Sequence, residues 1–240
     1  MKTERTIGFA KDITQEEEVI IKTARAFARS QHQYVIITRQ NTRDIIFASG
    51  NFEFLCGMSA DDICNNRENF YKKSIIREDL EFLKEIQERC ESFVHNMPHD
   101  SGMDCALHCD LHIKGKRGTR LIHAIFTKID WDDTKTSRYT LCSFNISSGK
   151  AFGRTIIKTG TNVIYEYKQG KWKEERLYAL KSTERDMLLL TTQGLTVSQI
   201  ATALCKSEEA IKSCRKLLYK RLGVKNTAEA MSFVVNFQQL

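Results

Sequence analysis

The chain has little proline, no long apolar run and no closely spaced cysteine pair. Its 240 residues contain a single proline, and none of the eight cysteines forms a Cys-x-x-Cys pair. No apolar run approaches the ~18 residues that a membrane span needs, and the N-terminal segment 1–18 lacks the apolar core of a secretory signal. The cysteines lie among apolar neighbours, which is typical of buried, reduced thiols. Together these absences predict a cytoplasmic protein with no membrane contact.

Signatures of catalysis are also missing from the sequence. There is no nucleophile beside a general base, no phosphate-binding loop and no pair of carboxylates in a catalytic pattern. The chain is therefore not predicted to be an enzyme. The net charge of +7 hints at a polyanionic partner, and its weight depends on where the basic residues lie.

The first 150 residues predict an α+β domain with an antiparallel sheet and small helices. A capping box at Thr14 and Glu17 begins a helix that runs to residue 31. A hairpin rich in β-branched residues follows at 34–48, and short helical pieces fill 51–90. Alternating polar and apolar residues then predict three strands, at 104–113, 120–129 and 138–147.

This order of elements, together with the run 51–63, resembles a PAS sensor domain over residues 32–148. The resemblance implies an apolar cavity between the sheet and the small helices. A small ligand held there is a candidate cofactor. The same side chains could instead simply fill the core. The candidate lining residues are Phe54, Leu55, Ile63, Phe70, Tyr71, Phe126 and Phe144.

Three polar residues share one face of a predicted strand and are candidate metal ligands. They are His108, Asp110 and His112, and imidazole and carboxylate groups suit zinc or iron. Alternation along a strand also places exposed polar residues at these positions by default. We therefore predict no metal site.

From Leu180 onward, capping residues and apolar spacing predict an all-α unit of four short helices. Glycines suit the left-handed residue that follows the first and the third helix. The predicted caps and ends are Thr183 with Asp186, Gly194, Thr196 with Gln199, Ser207, Gly223, and Asn226 with Glu229.

The third predicted helix, 208–222, divides its apolar and basic residues between two sides. The apolar side carries Ile211, Cys214, Leu218 and Leu222, and the opposite side carries Lys212, Arg215, Lys216, Tyr219 and Lys220. With Arg221 the helix has five basic residues. Such a helix suits the major groove, where lysine and arginine neutralise phosphates and reach guanine edges. The pattern would also fit a basic helix that is simply solvated.

The order and spacing of this segment resemble the LuxR/NarL-type helix-turn-helix family. The resemblance implies that Lys212, Ser213 and Lys216 face DNA and that the fourth helix pairs two copies. Thr183 and Ala210 stand where the family usually has Arg and Thr, which puts the affinity in doubt, and Cys214 replaces the usual His. The matching residues are Leu180, Glu184, Leu188, Gly194 to Thr196, Ile200, Ala201, Leu204, Ser207, Ile211, Lys212, Tyr219 to Asn226 and Ala228 to Ala230.

The sequence therefore predicts a homodimeric, sequence-specific DNA-binding transcription regulator with a PAS-like sensor. Double-stranded DNA is the predicted partner, and RNA polymerase is a further candidate. The predicted DNA contacts are Lys212, Ser213, Arg215, Lys216, Tyr219, Lys220, Thr196 and Asn226. The predicted dimer contacts are Ala228, Met231 and Val235.

Four segments are expected along the chain: an N-terminal helix at 1–31, the PAS-like domain at 32–148, a linker with a candidate small hairpin at 149–176, and the helix-turn-helix domain at 177–240. Two other functions remain open. One is a protein–protein adaptor that no longer reads DNA. The other is an enzyme whose N-terminal domain processes a ligand.

Overall fold

The chain folds into two compact units, an α+β unit and a helical unit, as predicted. The first comprises 1–147 and 153–175, and the second comprises 148–152 and 176–240. The computed structural model describes residues 7–10, 12–31, 33–65, 67–97, 104–116, 118–131, 136–146, 155–160, 163–176 and 179–236.

Over the residues that the structure describes, the N-terminal unit is built on one nine-stranded sheet. Its strands are β1 (Ile7–Phe9), β2 (Tyr34–Arg39), β3 (Ile45–Ser49), β4 (Ala106–Gly115), β5 (Gly118–Trp131), β6 (Ser137–Ile146), β7 (Ile156–Lys158), β8 (Val163–Lys168) and β9 (Lys171–Arg176). Their order across the sheet is β1-β3-β2-β6-β5-β4-β7-β8-β9. In the antiparallel β4–β5 pair, Cys109 lies opposite Ala124 and Leu111 opposite Ile122. This register gathers apolar side chains on one face.

Four helices cover that apolar face and close the main core. They are α2 (Phe52–Cys56), α3 (Ala60–Asn65), α4 (Arg67–Ser74) and α5 (Arg77–His95). The Asn51 side chain caps α2 by accepting a hydrogen bond from the backbone N–H of Phe54 (3.0 Å). This cap helps place the Phe52 ring edge-on against Phe70 and Phe144, at centroid distances of 6.1 and 6.5 Å.

The opposite face of the sheet carries the N-terminal helix. This helix, α1 (Gln15–Gln31), buries Ile21, Ala24 and Ala28 in a second cluster with Val35 and Phe47 of β2 and β3. The predicted capping box is present, because the Thr14 N–H donates to Glu17 Oε2 (2.9 Å) and the Glu17 N–H to Thr14 Oγ1 (3.3 Å). The segment expected as a separate N-terminal helix thus packs on the sheet.

The segment 149–176, expected as a linker with a candidate small hairpin, contains this hairpin as β8 and β9. It also extends the sheet, which a linker would not do. Strand β7 extends the sheet beside β4, and β8 pairs with β7 in register, with Ile157 opposite Tyr165. Strands β8 and β9 meet at Gln169 and Gly170, both of which have positive φ. The segment joins the sheet because Ile156, Ile157 and Ile164 are fully buried there.

The C-terminal unit is a small helical domain. It contains α6 (Ser182–Thr192), α7 (Val197–Ala203), α8 (Glu208–Leu222) and α9 (Thr227–Asn236). No helix in the described part of the chain is long and apolar enough to cross a membrane. The core of the C-terminal unit is formed by the buried apolar residues Leu180, Met187, Leu188, Ile200, Ala201, Ile211, Leu218, Leu222, Ala230, Phe233 and Val234.

A buried ion pair joins α1 to the sheet. Arg39 Nε lies 2.7 Å from Glu17 Oε1, and the Glu17 side chain is 2% exposed. Tyr139 donates its hydroxyl hydrogen to the same oxygen (3.2 Å). The hydrogen bonds from Arg39, above all, lower the pKa of Glu17 to about 2. Since these partners come from β2 and β6, the carboxylate fixes how α1 sits on the sheet.

Replacing Arg39 by methionine is expected to lower the free energy of unfolding of the N-terminal unit by about 3 kcal/mol, because it leaves a buried carboxylate without its cation. Urea titration followed by circular dichroism measures the loss. The matched control is Arg138→Met, whose ion pairs with Glu16 and Asp130 are accessible to solvent and should contribute much less to stability. Equal losses in the two variants would contradict the role of the buried pair.

The Glu17 carboxylate should also make the free energy of unfolding depend on pH. A carboxyl group with a lowered folded pKa stabilises the fold above its unfolded pKa, and this contribution disappears as the pH falls towards 2. We expect the unfolding free energy to fall between about pH 5 and pH 2, and to fall less steeply in Glu17→Gln. Urea midpoints measured across that range test this, and parallel profiles for the two proteins would count against it.

Candidate nucleic-acid interface

The turn between α7 and α8 is short and closed by backbone hydrogen bonds. Thr196 and Gln199 form the predicted capping box at the start of α7, with the Thr196 N–H donating to Gln199 Oε1 (2.9 Å). After α7, the N–H of Lys206 donates to the carbonyl of Ala201 (2.9 Å). Cys205 takes a positive φ of 53° in this turn. The turn therefore sets the direction in which α8 leaves α7.

Both ends of α8 are capped as predicted. The Ser207 side-chain oxygen accepts a hydrogen bond from the N–H of Ala210 (3.1 Å). Gly223 ends the helix in the left-handed conformation, and the N–H of Val224 donates to the carbonyl of Tyr219 (3.0 Å). These caps fix the length of the helix independently of any ligand.

The start of α6 differs from the prediction by two residues and by its capping group. The helix begins at Ser182, and the Glu184 carboxylate accepts the hydrogen bond from the Lys181 N–H (2.9 Å). The predicted pair was Thr183 with Asp186. Glu184 is preferred because its carboxylate is buried and also receives a cation from α8.

One row of side chains on α8 packs into the domain core. Ile211, Leu218 and Leu222 are buried, with Leu218 fully inaccessible. Cys214 on the same side is half-buried, and this burial raises the pKa of its thiol. Taking about 100° per residue, the centre of the opposite side of the helix lies among Ser213, Lys216 and Lys220.

The side of α8 away from the core is exposed and basic. Lys212, Ser213, Lys216 and Lys220 are all exposed. Arg215 and Tyr219, which the sequence places on the same side, are half-buried at its flank. The predicted basic face is thus present, but it is narrower than the sequence suggested. We call Lys212, Ser213, Lys216 and Lys220 the basic row.

The cations of α8 differ in what they pair with. Arg221 Nη2 lies 2.7 Å from Glu184 Oε2, whose side chain is 8% exposed, so this guanidinium joins α8 to α6. Lys212 Nζ lies 3.6 Å from Glu208 Oε2 in an exposed pair, which is worth little in water. No acidic side chain in the described residues pairs with Arg215, Lys216 or Lys220. Arg221 therefore does not belong with the cations available to a ligand.

Three of the predicted DNA contacts take part in hydrogen bonds within the domain. Tyr219 Oη lies 2.6 Å from Thr227 Oγ1 at the start of α9. Asn226 Oδ1 accepts from the Glu229 N–H (2.9 Å) and caps α9 as predicted. The third, Thr196, caps α7. A phosphate would have to compete with these internal hydrogen bonds. The three side chains therefore stabilise the helices of the domain and are not free donors.

The predicted dimer contacts lie on α9, where the structure describes two of the three side chains. Ala228 is exposed and Met231 is half-buried. The Val235 side chain lies outside the described residues. The neighbouring Ala230 and Phe233 are buried in the domain core. Of the predicted contacts whose side chains are described, Ala228 and Met231 therefore both remain accessible.

Most of the predicted pocket residues lie in the core of the N-terminal unit. Leu55, Ile63, Phe70, Phe126 and Phe144 are buried, and Tyr71 is half-buried against the same cluster. The prediction for Phe54 is wrong, because its ring is exposed and lies 4.3 Å from the Arg120 guanidinium. The short helix α2 turns its neighbour Phe52 inward instead, a residue that our lining set omitted.

The polar residues of β4 are more buried than alternation predicts. His108 and His123 are both inaccessible, with His108 Nδ1 3.2 Å from His123 Nε2 and His123 Nδ1 3.0 Å from Asp110 Oδ1. Burial lowers the pKa of His108 to about 3. His112 instead contacts Asp79 at 2.9 Å. Within the described ranges, no group of three such residues is arranged to hold a metal ion.

The family of the C-terminal segment is established by its match to a family model. Residues 179–234 match the model described as bacterial regulatory proteins, luxR family. This segment is therefore a luxR-type helix-turn-helix domain, as the sequence predicts. No curated protein matches the chain.

Several solved structures resemble the chain at low identity. A phage VqmA–DPO complex is 14% identical, with 95% of this chain and 94% of that chain covered and a TM-score of 0.35. The VqmA dimer of Vibrio cholerae in the absence of target DNA is 13% identical, with 95% of this chain and 90% of that chain covered and a TM-score of 0.37. A light-oxygen-voltage domain is 15% identical, with 52% of this chain and 85% of that chain covered and a TM-score of 0.39. These likenesses are too distant to transfer a function.

Replacing Cys205 by glycine should stabilise the helical unit. The Cys205 side chain is exposed, whereas a residue with a side chain at positive φ carries a strain of about 1 kcal/mol. Glycine removes that strain but gains freedom in the unfolded chain, so we expect a net gain of about 0.5 kcal/mol in the free energy of unfolding. Urea unfolding followed by circular dichroism measures it.

Two further variants show whether the backbone is the cause. Cys205→Ser keeps the strain and should leave the stability unchanged. Gly194→Ala introduces strain at a φ of 86° and should lower the stability by about 1 kcal/mol. A gain in Cys205→Ser equal to that in Cys205→Gly would show that the thiol, not the turn, is responsible.

Proposed function

We propose that the protein is a sequence-specific, DNA-binding transcription regulator that acts as a dimer and places α8 in the major groove. The observation that carries the proposal is the basic row, which lies opposite the buried row of a helix capped at both ends in a luxR-type domain. A helix of this diameter fits the major groove of B-form DNA.

The basic row suits a phosphate backbone because its cations are not neutralised by the domain. Lys216 and Lys220 have no acidic partner among the described residues, and Lys212 can leave its exposed pair with Glu208 at little cost. Each lysine that approaches a phosphate releases condensed counterions, which supplies most of the affinity for any duplex. Sequence preference then comes from side chains that reach base edges.

A dimer would read two half-sites about one helical turn apart, because two recognition helices related by a twofold axis face the same side of the duplex. Ala228, Met231 and Val235 on α9 are the proposed contacts between the copies. The N-terminal unit is proposed to sense a small ligand or to support pairing, and a change in pairing would alter the spacing of the two α8 helices. RNA polymerase is retained as a candidate partner.

The double variant Lys212→Ala with Lys216→Ala is expected to bind its selected duplex at least tenfold more weakly than the native protein. If both lysines contact phosphates, the slope of log affinity against log salt should decrease in magnitude by about 1.8, at 0.9 for each contact. Fluorescence anisotropy at several salt concentrations, on a duplex selected from random sequence by the native protein, measures both quantities.

The matched control removes two lysines from the N-terminal unit. Lys22→Ala with Lys84→Ala changes the net charge by the same amount at exposed positions and should leave the affinity and the salt slope nearly unchanged. Equal behaviour of the two double variants would contradict the assignment of α8 to the groove. A native protein without a preference of ~10³ for selected over random DNA would favour the adaptor instead.

A further inference from the structure

An acidic side chain stands at one end of the basic row. Glu209 precedes Lys212, Ser213 and Lys216 by three, four and seven positions, which are the spacings of one helix face. At about 100° per residue, it lies nearly opposite the buried row of Ile211 and Leu218. Glu209 is exposed, so its carboxylate occupies the side of α8 that faces the duplex in the proposed complex.

The neighbouring acid, Glu208, has a different environment. Its carboxylate pairs with Lys212 at 3.6 Å, and its position is about 100° around the helix from Glu209. In the part of the chain that the structure describes, no side chain forms an ion pair or hydrogen bond with Glu209. Both acids lie in the first turn of α8, where a carboxylate stabilises the positive end of the helix. This role can be filled by Glu208 and does not explain why Glu209 lies in the basic row.

A carboxylate in the groove is repelled by phosphates and by the acceptor atoms of most base edges. Ionised Glu can only accept hydrogen bonds. In the major groove, guanine presents O6 and N7 and thymine presents O4, all of them acceptors, whereas cytosine presents the donor N4. Adenine places its N6 donor beside the acceptor N7, which disfavours an anion. Cytosine is therefore the base that such a carboxylate selects.

We propose that Glu209 is a specificity-determining residue that accepts a hydrogen bond from N4 of a cytosine in each half-site. The proposal rests on the function proposed above, because it requires α8 in the major groove. Residues near the N-terminal end of a recognition helix are those that contact base edges in helix-turn-helix complexes. Glu209 would then reject the other three bases while the lysines hold the backbone without regard to sequence.

Selection from random duplexes, followed by binding titrations on single-base variants of the selected site, tests this with the full-length chain. The native protein is expected to select one invariant cytosine in each half-site and to bind the other three bases at that position at least tenfold more weakly. Glu209→Ala should lose most of this discrimination while binding random DNA as well as or better than the native protein. Glu209→Gln should shift the preference towards adenine, whose N6 and N7 suit an amide.

Glu208→Gln is the matched control, since it removes an acid from the same helical turn and should leave the base preference at that position unchanged. Preservation of the native base preference in both Glu209 variants would overturn the inference and leave the proposed function intact. A native protein that selects no sequence at all would overturn both. Circular dichroism shows whether each variant retains its helices, which is expected because Glu209 is exposed.

Discussion

The burial of one row of α8 determines which side chains the other side of the helix exposes. Leu218 is fully inaccessible, and Ile211 and Leu222 are nearly so, so the helix cannot rotate without exposing these side chains to water. Because successive residues are about 100° apart, the packing of this buried row fixes Lys212, Ser213 and Lys216 on the exposed side. The caps at Ser207 and Gly223 then fix where the exposed side begins and ends.

Two polar contacts hold α8 in the domain. The side chains that make them serve the fold and are not free to bind a ligand. Arg221 reaches the buried Glu184 of α6, and Tyr219 reaches Thr227 at the start of α9. Tyr219 is one of the predicted DNA contacts and Arg221 is one of the five basic residues of the helix, yet each is already bonded to a neighbouring helix. The basic row and Glu209 remain exposed on the side of α8 away from the core. In the proposed complex this mixture of charges would supply both the affinity for a duplex and a basis for selecting its sequence.

Local patterns allowed the sequence to predict most of the helical unit, whereas long-range contacts were out of its reach. Ser207, Thr196 and Asn226 cap helices through residues three positions away, so these caps can be read directly. The partner of Arg221 lies 37 residues earlier in the chain and carries no such signal. In the N-terminal unit, alternation predicted the strands, but the outward position of Phe54 and the burial of His108 depend on tertiary packing that period alone does not specify.

The most direct test of the central claim is chemical protection of the bases in a selected duplex. Guanine N7 lies in the major groove and adenine N3 in the minor groove, and dimethyl sulfate methylates both. If α8 occupies the major groove, the native protein protects guanine N7 in two patches about one helical turn apart and leaves adenine N3 reactive. Protection of adenine N3 with guanine N7 still reactive would contradict the account.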